Sequence, residues 1–279
     1  MISGSFLLGE IMREATEQDR PRILQYLRGN TKDCIYLYID IMNYGVSSEH
    51  MKVWIEEDAD ELSLVVMKYY DSFQVYSHLD VCNIAAIVAL LKQYPVAMIS
   101  ARRDIIQQLE KQCEEYIASY GVIYMVERHR KVSGRTDIML ATEEDASEIA
   151  KLICMDEEFA ANYTVEVLAK QLAERIRTGT GRSYIIRENG EIVAHTATFA
   201  ETDGIGVVSG TIVKQDYRNS NYFLLISNYM AQQLKTEGKT AYIFAITDKM
   251  IRYHDMVHTR CGEYGKLVRI NEDANEGTD

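Results

Sequence analysis

The sequence predicts a mixed α/β protein of two consecutive domains, each with a mostly antiparallel central sheet flanked by helices. Three observations carry this expectation. A short apolar strand, the string A-T-E-x-D and an apolar-periodic helix occur twice, in "IMREATEQDRPRILQYL" from Ile11 and "IMLATEEDASEIAKLI" from Ile138. Each copy is followed by helical and period-two stretches in a similar order. Between them, "RHRKVSGRTD" has the polar, Gly-containing character of a linker. The domains are therefore drawn at 1–132 and 136–270, with 271–279 as an acidic tail.

Composition narrows the class. A chain of 279 residues, 47% hydrophobic and 26% charged, suits two soluble globular domains. The formal net charge of −12 excludes broad nucleic-acid binding, which needs clustered Lys and Arg. Most of that charge falls in the second half, a bias that suits an amine-bearing substrate better than an anionic one. Five cysteines with no C-x-x-C spacing and no cleavable apolar leader point to reduced thiols in the cytoplasm. The longest apolar stretch, "VCNIAAIVALL", is about half a bilayer span, so no membrane association is expected. A homodimer is compatible with the sequence, which sets no oligomeric state.

In the first half, Thr16 caps a helix, with Asp19 near its positive dipole end. A helix is expected near 31–43, strands near 51–57, 61–69 and 72–77, and a helix from Val81 to Gln93 capped by Asp80. The strand "PVAMIS", a helix from 102 to about 117 and the strand "GVIYMVER" complete it. The second half repeats the plan. Thr142 and Asp145 begin a helix, and Val165, Leu168, Leu172 and Ile176 share one face of the next, which Gly179 ends. A hairpin turns at Asn189-Gly190, and "TDG" at 202–204 leads into the strand "IGVVSGTIV". A helix from about Tyr222 to Glu237 is stopped by Gly238, and "TAYIFAI" is the next strand. "MIRYHDMVHTR" is a final helix or helical turn before a closing strand near "YGKLVRI".

The junction "IVKQDYRNSNYFLL", residues 212–225, carries the chemistry. An apolar strand ends, an arginine follows and an amphipathic helix begins, the context in which backbone N–H groups bind phosphate. Ile212, Val213, Arg218, Asn219, Ser220, Asn221, Tyr222 and Phe223 are the candidate cofactor-binding residues. Asn221 and Phe223 occupy the positions where glycines usually let a diphosphate approach. Asparagine tolerates positive φ, and the spacing of Phe223, Ile226, Met230 and Leu234 directs Phe223 toward the core.

On these residues the second half resembles the GNAT superfamily of acyl-CoA-dependent N-acetyltransferases. The first half resembles a degenerate relative, giving a tandem arrangement. Val213, Tyr217 and Arg218 match the family's strand-to-helix motif, and Tyr253 with "GEY" at 262–264 matches the end of a tandem subgroup. The resemblance implies acetyl-CoA as co-substrate and a primary amine on a small molecule or peptide as acceptor. It implies direct transfer without a covalent enzyme intermediate, with Tyr253 as proton donor to the departing thiolate. A catalytically silent protein that binds acyl-CoA or a protein partner is the alternative.

For the general base, Glu201 at a strand end is the first candidate, with Asp203 and His195 behind it. Glu201 and Asp203 read equally as solvated turn residues, and His195 as a satisfied structural histidine. "HDMVH" at 254–258 places two histidines at i and i+4 without a third ligand at suitable spacing, so no metal is expected. In "ARRD" at 101–104, an anion site at a helix start is neutralised by Asp104.

Overall fold

The computed structural model describes residues 12–127 and 137–270, so most of the expected linker and all of the acidic tail lie outside the described residues. The chain forms two compact units. One runs to Ser119 and takes up the chain again from Tyr264; the other is Tyr120–Glu263.

The first unit opens with β1 (Arg13–Glu14), then α1 (Arg20–Arg28), a 3₁₀ turn Thr31–Asp33 and α2 (Ile35–Tyr44). A short β2 (Ser47–Ser48) precedes the meander β3 (Met51–Asp58), β4 (Glu61–Tyr69) and β5 (Ser72–Tyr76). The unit continues with α3 (Ile84–Gln93), β6 (Met98–Arg102) and α4 (Arg103–Leu109), and β7 (Tyr116–Met125) follows. The core between α1, α2 and the meander includes Ile23, Leu27, Leu37, Val53, Val65 and Tyr76. Two boundaries differ from expectation. The helix expected from Val81 starts at Ile84, because the Asn83 side chain, not Asp80, accepts the Ala86 N–H at 3.1 Å. The helix expected to reach residue 117 ends at Leu109.

The second unit contains β8 (Ile138–Leu140), a 3₁₀ turn Glu143–Asp145, α5 (Ala146–Ile153), α6 (Glu157–Asn162) and α7 (Val165–Thr178). Then come β9 (Ser183–Glu188), β10 (Glu191–Glu201), β11 (Ile205–Val213) and α8 (Tyr222–Thr236). It continues through β12 (Thr240–Ala245) and α9 (Asp248–Val257), and the chain's last strand is β13 (Thr259–Arg269). Gly179 ends α7 at φ 70°, and Asn189-Gly190 turns the hairpin at φ 53° and 85°, as their sequence positions require. Its core joins Ile186, Val193, Val208, Ile226, Met230 and Leu234. Among the described residues no helix is long and apolar enough to cross a membrane.

The repeated A-T-E-x-D string folds alike in both units. Thr16 N–H and Thr142 N–H each donate to the aspartate three residues on, Asp19 and Asp145, at 2.8 Å. The hydroxyls of the two threonines donate to the same carboxylates at 3.0 and 3.2 Å. Each aspartate also meets an arginine of its own unit, Arg13 or Arg187, so the motif ties the helix start to the sheet.

Strand order corrects the expected domain limits. In the first unit the order is β1-β3-β4-β5-β6-β13, with β2 beside β3. The pairs Tyr264↔Arg102 to Val268↔Met98 close that sheet with residues from the chain's end. In the second the order is β7-β12-β11-β10-β9-β8, and Val122–Met125 pairs with Ala245–Tyr242. A cut near 130–136 therefore divides the chain but not the units. Nothing local in "GVIYMVER" or "YGKLVRI" specifies which sheet it joins, because an apolar strand is satisfied by any matching edge.

Polypeptides 1–132 and 136–279 each lack a closing strand, and neither is expected to show the cooperative thermal unfolding of the full chain. Circular dichroism melts of the two fragments check this. A sharp transition from 1–132 alone would contradict the assignment.

Candidate functional site

The site grows from an incomplete ladder. Parallel β11 and β12 pair from Ile205↔Thr240 to Val208↔Ile243, and the pairing does not reach Ser209–Val213. On its other edge, β11 stays paired with β10 as far as Ala194↔Val213, through register shifts between His195 and Ala197 and between Thr198 and Ala200. The outer edge of residues 209–213 is left facing the gap between diverging strands. At the bulge Gly210 has φ +62°, and a Cβ there would lie 3.1 Å from the Phe199 ring. Both the backbone and the tight space favour glycine.

His195 holds this bulge. It is fully buried; one ring nitrogen, Nδ1, lies 2.7 Å from the Gly210 carbonyl and Nε2 lies 3.1 Å from the Ser183 hydroxyl. A carbonyl can only accept, so Nδ1 carries the proton and Nε2 accepts from Ser183. Burial pushes its pKa down to about 4, so the ring is neutral at pH 7. His195 is structural, the second of the two readings open in the sequence.

After β11 the chain makes a 3₁₀ turn at Gln215–Tyr217 and enters α8 with Asn221 as N-cap. Asn221 has φ −89°, so the position expected to use asparagine's tolerance of positive φ does not need it. Ser220 Oγ donates to the Tyr217 carbonyl at 2.6 Å and accepts the Tyr222 N–H at 3.2 Å. The amides of Asn219, Asn221, Phe223 and Leu224 find no acceptor among the described residues. Arg218 Nε donates to the Val213 carbonyl at 3.3 Å, which keeps the guanidinium at the strand end. Lys214 is engaged by Glu191 at 2.6 Å. Exposed amides at a helix N-terminus with an arginine beside them suit an anion.

The two bulky residues behave differently. Tyr222 leaves the junction: its hydroxyl donates to Glu188, and its ring stacks on Tyr217 at 6.3 Å. Phe223 departs from expectation. Ile226, Met230 and Leu234 are fully buried, whereas Phe223 is 39% exposed and meets Tyr253 edge to face at 6.0 Å. One turn before Ile226, its ring lies at the helix start, beyond the packed face, and the α9 tyrosine receives it. Tyr253, half-buried, thus stands with Phe223 rather than alone.

Glu201 does not suit the role of general base. It is 5% exposed, and its carboxylate accepts from Arg182 Nε at 3.1 Å, from the Thr198 hydroxyl at 2.6 Å and from Lys239. Burial alone would raise its pKa, but these three partners hold it below the ordinary range. Arg182 and Lys239 also meet Glu237. Glu201 pairs with Gly206 near the start of β11, and Val213 lies at the other end of the strand. The cluster locks the beginnings of β9 and β12 to the end of β10. Asp203 sits exposed in the turn before β11. Sequence reading had no signal for the cluster, because Arg182, Glu201 and Lys239 meet only across three strands.

In "HDMVH", His254 and His258 stack at 5.3 Å and 23°, and neither Nδ1 finds a partner among the described residues. Burial pushes His254 down to about 4, aided by the neighbouring His258. Tyr124 donates to Asp255 at 2.8 Å, and Arg260 holds the same carboxylate, so α9 is tied to β7 beside Tyr253.

No family model matches the sequence, and no curated protein is similar to it. Solved structures show the fold. A Drosophila protein solved in a structural genomics programme superposes with a TM-score of 0.67 at 10% identity, over 94% of this chain and 99% of its own. A tandem GNAT protein from the clavulanic acid biosynthesis pathway gives 0.57 at 11%, over 92% and 97%. An acetyltransferase of the GNAT family from Colwellia psychrerythraea gives 0.56 at 9%, over 93% and 100%. The chain has a GNAT-like fold, with tandem GNAT proteins among its structural neighbours.

Two outcomes follow from these side chains. Glu201→Gln leaves Arg182 and Lys239 without their shared counter-ion and should cost about 3 kcal/mol in urea unfolding; a loss below about 1 kcal/mol would contradict the cluster's role. His195 and His254 have folded pKa values near 4 against 6.5 unfolded. Protonation then favours the unfolded chain, so stability should be flat above about pH 6.5 and fall as pH drops toward 4. Urea unfolding at stepped pH checks this, and His195→Asn should flatten the slope, the remainder belonging to His254 and His258, whose pKa burial also lowers.

Proposed function

We propose that the second unit is an N-acyltransferase that moves an acetyl group from acetyl-CoA directly to a primary amine of a small molecule or peptide. The observation that carries this reading is the unpaired β11 edge from Ser209 to Val213, running straight into the donor-rich start of α8. The residues present fit the co-substrate. The main chain of Ile212 and Val213 aligns an extended pantetheine arm as an added strand would be aligned. The amides of Asn219, Asn221, Phe223 and Leu224, with Arg218, meet the diphosphate. When bound, acetyl-CoA supplies an activated thioester.

The chain's own groups then do three things. The bulge at Gly210 fixes backbone donors where negative charge develops on the carbonyl oxygen. The amine nitrogen forms the new C–N bond as the C–S bond breaks, and its proton passes to water, since Glu201 and His195 are committed elsewhere. Tyr253 Oη gives the departing thiolate its proton and regains one from water, so the chain is restored. In the structure the Phe223 ring packs edge to face on Tyr253, beside this donor.

One observation favours a second reading, a catalytically inactive protein that binds acyl-CoA. The Phe223–Tyr253 contact engages the very ring that would act as donor.

Calorimetry with acetyl-CoA, followed by thiol release over a panel of amines, separates the readings. Heat together with thiol release supports transfer, heat without release supports the second reading, and no heat at about millimolar cofactor removes both. Tyr253→Phe should lower turnover by at least about tenfold with cofactor affinity nearly unchanged; an unchanged rate would discard its role. Phe223→Ala should tighten cofactor binding, since the contact it removes is worth about 1 kcal/mol.

A further inference from the structure

The first unit has its own splay, and its chemistry differs from that of the second. Parallel β5 and β6 pair only from Ser72↔Met98 to Gln74↔Ser100. Two residues further on, Tyr76 and Arg102 stand on the same face of their strands, where a continued ladder would have placed them opposite each other. The segment between α1 and α2 brings Asn30 and Asp33 beside Tyr76, with Asp33 also within electrostatic reach of Arg102.

The helix that follows this splay offers no phosphate site. Asn83 caps α3 with its own side chain, and Asp80 stands before it. Arg102 is already neutralised, its Nε donating to Asp104 at 2.9 Å and its Nη2 to the second carboxylate oxygen. Two groups remain unanswered. Tyr76 is 1% exposed, and its hydroxyl has the Asn30 side chain beside it but makes no hydrogen bond of good geometry among the described residues. A buried hydroxyl without a partner is destabilising, because its hydration is lost and nothing replaces it. Asp33, half-buried, has no ion pair or side-chain hydrogen bond among the described residues, and burial pushes its carboxyl up. Lys32 beside it is exposed to solvent. An unmatched carboxylate and an idle buried hydroxyl on one face call for a ligand with a cation and a small polar group.

We propose that the first unit binds a small hydroxylated primary ammonium compound at the β5–β6 splay, with the Asp33 carboxylate as counter-ion and the Tyr76 hydroxyl as hydrogen-bond partner. This site does not depend on acyl transfer by the second unit.

The test is a protein-observed NMR titration of the full chain with ethanolamine at pH 7, with ethylene glycol as the uncharged control. Ethanolamine should give saturable shifts at the Asn30–Asp33, Tyr76 and Arg102 amides, and ethylene glycol none. Asp33→Asn should weaken binding at least about tenfold. Tyr76→Phe should weaken it several-fold while the thermal midpoint stays level or rises, because no folded-state bond is lost. Absence of shifts at these amides, or equal binding by Asp33→Asn, overturns the proposal. Shifts confined to Ser209–Val213 that survive Asp33→Asn would report an amine in the second unit instead, and would also overturn it.

Discussion

A ladder that stops early is the constraint on which the second unit depends. β11 and β12 run parallel for four paired residues and then part, leaving the backbone of Ser209–Val213 with one satisfied edge and one open edge. Unpaired strand edges are costly and adhesive, and proteins rarely leave them without a reason. Here the parting is built in. Gly210 takes a left-handed conformation that side chains rarely adopt, and a neutral, fully buried histidine accepts the consequence by donating to its carbonyl. The open edge then delivers the chain to α8, where four amides face solvent.

The same device occurs in both units with opposite electrostatics. In the second, the splay leads to exposed amides and Arg218, a setting for anions. In the first, it leads to Tyr76, Asp33 and an arginine already paired with Asp104, a setting for cations. The duplicated Thr–Asp hydrogen bonds at 2.8 Å mark the two units as copies of one plan. Copies that keep the backbone and exchange side chains at the splay acquire different ligands without new folds.

Much of this plan was legible in the sequence. Period-two and helical patterns located the meander, the long helix α7 and the hairpin at Asn189-Gly190, because each is dictated by local propensity and turn chemistry. The β3–β4 turn was harder to read, since Ala59 and Asp60 both adopt positive φ without an Asn-Gly signal. Strand exchange at the sheet edges was invisible, because an apolar strand does not announce its neighbour. At the site, residue types suggested Glu201 as a base, yet only the fold brings Arg182 and Lys239 to it. Phe223 followed the helical period of Ile226 and Met230, but at a helix terminus the period no longer says which face is covered. His195 was balanced between two roles until Gly210 and Ser183 came within reach of its two nitrogens.

The central claim is that the open edge of β11 and the start of α8 form one continuous surface for a nucleotide thioester. Amide hydrogen exchange with and without coenzyme A tests it most directly. The account predicts slowed exchange confined to Ser209–Val213 and to the amides from Asn219 to Leu224. Unchanged exchange in both segments at saturating coenzyme A, or protection elsewhere in the chain alone, would contradict it.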